Sequence, residues 1–261
     1  MDLSECAVGR LATISRHPWE LARRSFVERM VRSLRGQSPQ AIGRILDVGC
    51  GDAFITSHLS HCHADLRVDG VDTALSHEIV PRIAGSGGKL HLVPSMALLD
   101  REAGPIGLIL VLDVLEHVPD DVSFLRSIVG HPLVDSRAHF LITVPAFSFL
   151  YCSHDRLLGH HRRYRFGQLK RVAAAADLAA LEGGYLWLSG FWVRAVQWLL
   201  EKLHLVLPLQ QTQVSCWHAE RLETRLCQNL LELDLAVSRF LAKAHLRLPG
   251  LSCYLICRKR G

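Results

Sequence analysis

The sequence lacks several signatures of common protein classes. No Cys-x-x-Cys pair occurs among its eight cysteines, which argues against a structural zinc site. Cys50, Cys253 and Cys257 lie in apolar, strand-like runs, where we expect them to be small buried side chains, so we infer a reducing compartment. No stretch of about 20 residues is free of charge, so we expect no membrane-spanning helix. Glu5 and Arg10 precede any apolar run, so we expect no signal peptide. We therefore expect the protein to be cytoplasmic.

Catalytic signatures are missing too. The sequence has no Gly-x-Ser-x-Gly elbow, which argues against a serine hydrolase, and no Gly-Lys-Ser/Thr loop, which argues against a P-loop enzyme. The formal net charge of +5 is only mildly basic. Neither an appended RNA-binding module nor an Asn-Pro-Pro-Tyr set is present, so we expect no nucleic-acid partner.

Apolar segments alternate with helix-like segments through the first two thirds of the chain. This alternation predicts βαβ units and a parallel sheet, and nearly continuous apolar strands predict a sheet covered on both faces. The fold class is therefore α/β and doubly wound, with the ligand at the carboxyl ends of the strands. The predicted strands are 44–48, 66–71, 89–93, 106–112, 139–144 and 251–257.

With 261 residues, of which 49% are hydrophobic, the chain can form one domain with a full core. We predict a single domain over 1–261. A helical extension occupies 1–40, where Trp19, Ala22, Phe26, Met30 and Leu34 form one stripe. A helical insertion at 185–247 forms an α-helical cap before the last strand.

A glycine loop follows the first strand in the segment Ile45–Asp52. Glycines there allow a tight turn and close approach to a ligand, and Asp72 ends the second strand about twenty residues on, where an acid suits ribose hydroxyls. A dinucleotide dehydrogenase is the alternative. It requires a third glycine where this chain has Phe54.

The segment Ile45–Asp52, the Gly-Val-Asp ending at Asp72 and the segment Leu112–Val118 resemble motifs of class I S-adenosylmethionine-dependent methyltransferases. The third is similar to that of the branch with the ubiquinone-type O-methyltransferases. The resemblance implies a Rossmann-like, mostly parallel sheet of seven strands and S-adenosylmethionine as cofactor. It implies cofactor contacts from Asp47, Gly49, Cys50, Gly51, Asp72, Thr73, Ser95, Met96, Leu112 and Asp113.

In ubiquinone-type O-methyltransferases an acidic-x-x-Glu-His set is linked to a divalent metal. Here that set is Asp113, Glu116 and His117. The alternative is that Glu116 and His117 start a helix and form local bonds, and because spacing alone does not define ligand geometry we expect no metal. His117 remains a candidate catalytic residue.

A polar segment after the fifth strand, comprising residues 151–155 and 159–164, is the candidate acceptor side. It resembles a stretch of bacterial methyltransferases that often modify glycans, lipids or secondary metabolites. His154 is the candidate base and Asp155 the residue that orients it, while His160, Arg162, Arg163 and Tyr164 are candidates for gripping an acidic acceptor. The alternative is that Asp155 pairs with Arg163 to hold the loop, with His160 and His161 in solvent.

The Trp-rich segment 185–207 is apolar around more than half of a helix. We expect the leucine stripe of a helix over 217–241 (Leu222, Leu226, Leu230, Leu233, Val237 and Leu241) to pack on it and form the cap. The alternative is an apolar groove for a hydrophobic acceptor, or peripheral contact with a membrane surface.

Together these features predict an S-adenosylmethionine-dependent methyltransferase. Its acceptor is a small molecule, or a glycan- or lipid-linked one, and the expected reaction is O-methylation. The alternatives are N- or C-methylation, or a catalytically inactive cofactor-binding module of the same fold. Release of demethylated cofactor during turnover distinguishes an enzyme from an inactive module.

Overall fold

A computed structural model describes residues 16–37, 42–75, 90–205, 221–244 and 246–260. A seven-stranded sheet with the order β3-β2-β1-β4-β5-β7-β6 forms its centre. Strands β1 to β5 pair in parallel, while β7 runs antiparallel to both β5 and β6. The strands are β1 (Arg44–Val48), β2 (Arg67–Val71), β3 (Leu90–Val93), β4 (Ile106–Leu112), β5 (Val134–Pro145), β6 (Leu178–Leu186) and β7 (Ser252–Lys259).

Helices cover both faces of the sheet. Along β4, Ile109 and Val111 pack into one core cluster with α3 and α5, while Leu108 and Leu110 pack into a second cluster with α1 and α2. This alternation explains why the whole strand is apolar. The helices are α1 (Pro18–Gln37), α2 (Phe54–Cys62), α3 (Asp121–Val129), α4 (Ser153–Leu157), α5 (Phe166–Ala175), α6 (Leu188–Lys202) and α7 (Arg221–Lys243).

Strand register brings the predicted ligand-binding residues to one edge of the sheet. Val48 pairs with Val71 on one side and with Val111 on the other. The residues that follow these strands therefore lie side by side at the carboxyl edge, where a doubly wound sheet binds its ligand.

The predicted doubly wound, mostly parallel sheet of seven strands is confirmed. Six strands were placed from the sequence, but β6 was not, because its Leu-Glu-Gly-Gly run is a weak strand signal. The glycines have a packing reason. A Cβ on Gly183 would lie 2.6 Å from Tyr254 O, and one on Gly184 would lie 2.9 Å from Ala242 Cβ. The alternation of segments also predicts a helix near 76–83, and that stretch lies outside the described residues.

The two C-terminal helices pack differently from the prediction. The Trp-rich segment begins in β6, and its helix, α6, starts only at Leu188. Helix α7 packs chiefly on α1 and β6 through a face that includes Leu231, Leu235 and Ala242. The prediction that the leucine stripe of α7 packs on α6 is wrong. The stripe residues are exposed at Leu222, Leu226, Leu230, Leu233 and Val237.

No helix within the described ranges is long and apolar enough to cross a membrane. The stripe on α1 is largely buried, as predicted, with Ala22, Phe26, Met30 and Leu34 in the core and Trp19 packed against it. This places the N-terminal helix on the same face of the sheet as α2 and α7.

Candidate functional site

The glycine loop turns sharply at the end of β1. Gly49 and Gly51 have φ angles of 72° and 53°, and the Gly49 amide donates to Val71 O at 2.7 Å. A Cβ on Gly49 would lie 2.5 Å from Val114 Cγ2. Both the left-handed backbone and the close approach to Val114 therefore require glycine at position 49.

Asp72 follows β2 and faces this loop. Its carboxylate accepts hydrogen bonds from the amides of Gly51 and Ala74, each at 2.9 Å. A carboxylate has about four acceptor positions, so two hydrogen bonds leave Asp72 with unused acceptor capacity at this edge. The neighbouring Thr73 is exposed at the same strand end.

Asp47 lies beneath the loop, near the end of β1, and is buried. The Thr56 hydroxyl donates to its carboxylate at 2.6 Å. Burial raises the pKa of Asp47 to about 6, although the Thr56 hydrogen bond and the charge of Arg23 oppose this shift. Among the described residues no cation forms an ion pair with this carboxylate, and an ammonium group would supply one.

Asp113 follows β4 with a φ of 53°. Its carboxylate forms an ion pair with Arg23 of α1 at 2.9 Å and accepts from the Thr143 hydroxyl at 3.1 Å. Arg16, two residues before α1, forms an ion pair with Asp52 at 2.5 Å. The sequence did not point to these arginines. The apolar stripe of α1 predicts a helix packed on the core, but it does not show that the helix lies beside the site.

The other expected cofactor residues line the same edge. Leu112 is buried at the end of β4, and Met96 packs against the core. Ser95 is exposed, and its hydroxyl caps a short turn by accepting from the Ala97 amide. Burial, followed by the charge of Asp47, raises the pKa of the Cys50 thiol, so this cysteine stays protonated.

The candidate acceptor loop is held by a buried charge network around Asp155. Its carboxylate accepts from Arg163 Nε at 2.7 Å, from the Cys152 amide at 3.0 Å and from His160 Nδ1 at 2.9 Å. Burial opposes ionisation, but the hydrogen bonds from His160 and Arg163 outweigh it and hold the pKa of Asp155 well below its usual range. The Nδ1 atom of His160 therefore carries a proton.

The structure pairs Asp155 with His160, which corrects the expectation that Asp155 orients His154. His154 is half-buried instead. Burial, with the charge of Arg194, lowers its pKa to about 4, so His154 is neutral at physiological pH. Contrary to the alternative interpretation, His160 does not sit in solvent, because its side chain is only 9% exposed.

The residues expected to grip an acidic acceptor bond mainly to the protein. Arg163 is buried against Asp155, and Arg162 pairs with Asp121 at 3.2 Å. The Tyr164 hydroxyl is buried and donates to Asp121 at 2.8 Å. Because these polar groups are already engaged, Arg163 and Tyr164 stabilise the loop rather than present free donors.

Glu116 and His117 lie in a short turn after β4, directly against this loop. The His161 amide donates to Glu116 O at 2.7 Å, and the rings of His117 and His160 meet edge-on at 4.7 Å. The Glu116 side chain is buried, and neither carboxyl oxygen has a hydrogen-bond partner among the described residues. Burial, with the charge of Asp113, raises its pKa well above the usual range.

The metal-ligand candidates change with the structure. Asp113 is engaged by Arg23 and Thr143, whereas Glu116, His117 and His160 bring ligand atoms within 4.8 Å of one another. When it is protonated, the Glu116 carboxyl group can donate a hydrogen bond but does not bind a cation. A divalent ion at this position would displace the proton. The arrangement thus offers either a proton-handling cluster or an ion site, both beside the Asp155–His160 pair.

Comparisons with known proteins define the class. A ubiquinone biosynthesis O-methyltransferase from Methylocella silvestris is 30% identical over 176 residues, which cover 62% of this chain and 68% of that protein. One from Bordetella avium is 32% identical over 109 residues, but these cover only 40% of this chain and 42% of that protein. No protein-family profile matches the chain.

Solved structures agree on the fold. A protein from Galdieria sulphuraria, assigned as a sarcosine dimethylglycine methyltransferase, aligns with a TM-score of 0.54 at 15% identity over 90% of this chain and 85% of its own. A coclaurine N-methyltransferase bound to N-methylheliamine and S-adenosylhomocysteine aligns at 0.51 and 15% identity over 89% and 72%.

The fold and the glycine loop define a Rossmann-like methyltransferase with S-adenosylmethionine as its cofactor. The chain belongs to the class I S-adenosylmethionine-dependent methyltransferases, with homology to the ubiquinone biosynthesis O-methyltransferases. The match to the Bordetella avium protein spans less than half of that relative, so the acceptor of that relative is not assigned to this chain.

Proposed function

We propose that this enzyme methylates a hydroxyl oxygen of a small or lipid-linked acceptor, and that His160 is its general base. The hydrogen bond between His160 Nδ1 and Asp155 carries this proposal. When bound, S-adenosylmethionine supplies an electrophilic methyl group on a sulfonium sulfur. The chain's residues then have to hold the acceptor in line and take its proton.

The Asp155–His160 pair has the chemistry that a hydroxyl acceptor needs. Ionised Asp155 keeps the proton on Nδ1, which leaves Nε2 of His160 as the atom that can accept a hydroxyl proton. A phenolic hydroxyl has a pKa of about 10 and therefore gains from a base at neutral pH. His154, by contrast, has its pKa lowered to about 4 and is a weaker base.

An aromatic cluster beside the acceptor loop favours an apolar or aromatic acceptor. Phe147 stacks on Tyr185 with ring centroids 4.8 Å apart, and it meets Phe191 edge-on at 5.5 Å. Phe149, about half exposed, continues the cluster towards Trp198. Such surfaces suit a ring or an isoprenoid-like chain, and the names of the O-methyltransferase relatives also support a hydroxyl acceptor.

We propose that Asp72 binds the ribose and Asp47 the amino group of the cofactor, with the glycine loop passing beneath it. Spare acceptor capacity on Asp72 and the raised pKa of Asp47 support these roles. They separate the cofactor residues from the proposed base. A variant of His160 should therefore change turnover without changing cofactor affinity.

The test measures transfer of labelled methyl groups to a panel of phenols and catechols, with product detected by mass. We expect His160→Ala to lower turnover by about 10²- to 10⁴-fold, with cofactor affinity nearly unchanged. The matched control is His161→Ala, because the exposed neighbouring ring leaves the Asp155 network intact. Normal turnover in His160→Ala with a large loss in His154→Ala would return the base to His154.

Two further arms test the remaining alternatives. An inactive module would bind S-adenosylmethionine yet release no demethylated product with any acceptor. We expect turnover to survive a chelator, because Asp113 is engaged by Arg23 and Thr143. Loss of turnover on chelation, restored by a divalent ion, would instead assign Glu116, His117 and His160 to a metal.

A further inference from the structure

Helix α6 has the opposite polarity to an ordinary surface helix. Its polar edge faces the protein: Glu201 accepts from the Ser153 hydroxyl at 2.8 Å and from the Ser153 amide at 3.2 Å, and Arg194 Nη1 lies 3.1 Å from Cys152 Sγ. Its apolar edge faces outward, with Trp192 68% and Leu199 47% exposed. Surface helices normally bury the apolar stripe, so α6 lacks a covering partner among the described residues.

Helix α7 carries two apolar stripes on roughly opposite sides, as the spacing of about 100° per residue shows. One stripe, with Leu231 and Leu235, packs on the protein. The other is exposed, with Leu230 at 68% and Phe240 at 72%. We refer to the exposed apolar stripes of both helices as the α6–α7 apolar surface, which includes Trp192, Val196 and Leu199 of α6 and Leu226, Leu230 and Phe240 of α7.

Three basic residues of these helices have no acidic partner within the described ranges. They are Lys202 of α6, whose ammonium lies over the Trp198 ring at 4.9 Å, and Arg225 and Lys243 of α7. Acidic residues of the same helices are engaged instead, including the exposed Glu223 of α7. Glu232 pairs with Arg29, and Asp234 accepts from the amides of Leu188 and Ser189. The charge left over beside the apolar surface is therefore positive.

We propose that the α6–α7 apolar surface docks this protein on an anionic lipid bilayer. Its apolar side chains enter the interface, while the three unpaired basic residues contact lipid phosphates. A second copy of the chain suits the surface less well, because a two-fold interface would bring the same basic groups together. Since Glu201 and Arg194 bond to the loop that carries Asp155, docking would also place the acceptor side at the membrane.

The test is flotation of the full-length protein with phosphatidylcholine vesicles that contain or lack phosphatidylglycerol. We expect binding to the anionic vesicles at low salt, weak binding to neutral ones, and release by high salt. The double variant Trp192→Ser/Val196→Ser should lower partitioning by at least about tenfold. Leu98→Ser is the matched control, since Leu98 is an exposed leucine outside the surface.

Cofactor affinity and circular dichroism of each variant establish that it is folded, since all three positions are exposed. A second variant, Lys202→Gln/Arg225→Gln/Lys243→Gln, should bind anionic vesicles only as weakly as neutral ones. Wild type that stays unbound on anionic vesicles at low salt would overturn the proposal. So would a concentration-dependent dimer, lost in Trp192→Ser/Val196→Ser, without vesicle binding. None of these outcomes depends on the assignment of His160 as base.

Discussion

The cofactor side and the acceptor side of the site use their charged groups in different ways. On the cofactor side, Asp72 keeps acceptor capacity and Asp47 has a pKa raised to about 6, so both carboxyl groups can still gain from a ligand. On the acceptor side, Asp155 is saturated by Arg163, His160 and Cys152. The cofactor side can therefore still bind a polar ligand through its carboxyl groups. On the acceptor side, the charged groups mainly bond to one another and hold the loop in place.

The largest expected effect tests the structural role of the acceptor-side charges. Arg163→Met leaves Asp155 ionisable and buried without its cation, so we expect the free energy of unfolding to fall by about 3–5 kcal/mol. Chemical denaturation measures it. Arg162→Met is the control, and it should cost no more than about 1 kcal/mol, because Arg162 is partly exposed. Equal losses in the two variants would mean that the buried pair does not hold the loop.

The next effect belongs to the cofactor side. Gly49→Ala places a side chain at a φ of 72° and 2.5 Å from Val114, so we expect cofactor affinity to fall at least about tenfold. Calorimetric titration measures the affinity. Gly104→Ala is matched, since Gly104 has a φ of 82° but open space around its Cβ position, and it should bind normally. Unchanged binding in Gly49→Ala would remove the loop from the cofactor site.

A smaller effect concerns pH. If Asp47 holds the cofactor's amino group, the bound state favours its carboxylate, so affinity should fall by roughly tenfold per pH unit below about 6. Asp47→Asn should bind weakly with no such dependence. The folded pKa lies above the ordinary value of 3.8, so this group's contribution to stability should fall as pH rises from about 4 to about 6. An affinity that stays constant down to pH 5 would argue against the role of Asp47.

The smallest effect is expected at Ser95, one of the cofactor contacts that the family resemblance implies. Its hydroxyl is exposed and caps a short turn at 3.3 Å from the Ala97 amide. Ser95→Ala should therefore change cofactor affinity by less than about twofold, since the loss falls on a local cap. A tenfold loss in the same calorimetric titration would show that the hydroxyl contacts the adenosine and would make the two sides of the site more alike.

Local patterns in the sequence predicted most of the sheet. Continuous apolar runs predicted β1 and β4, and the glycines with Asp72 placed the cofactor edge, because these signals involve neighbouring residues. Strand β6 escaped prediction because Gly183 and Gly184 are required by contacts with Tyr254 and Ala242, far away in the chain. The pairing of Asp155 with Arg163, one of the two alternatives, is present. The histidine partner of Asp155 was not predicted: the adjacent His154 was expected, but the loop brings His160 to its carboxylate.

The sequence by itself determined that this chain forms a doubly wound sheet with a glycine loop after its first strand, because periodicity and turn chemistry act over a few residues. The methyltransferase class followed from the resemblance of the motifs in that loop and at the next strand ends. Only the tertiary structure decided which apolar stripe of α7 is buried, which histidine meets Asp155, and that Arg23 reaches Asp113. A helix with two apolar stripes can bury either one. The choice depends on the shape of α1 and β6, which are distant in sequence, and it leaves the other stripe exposed.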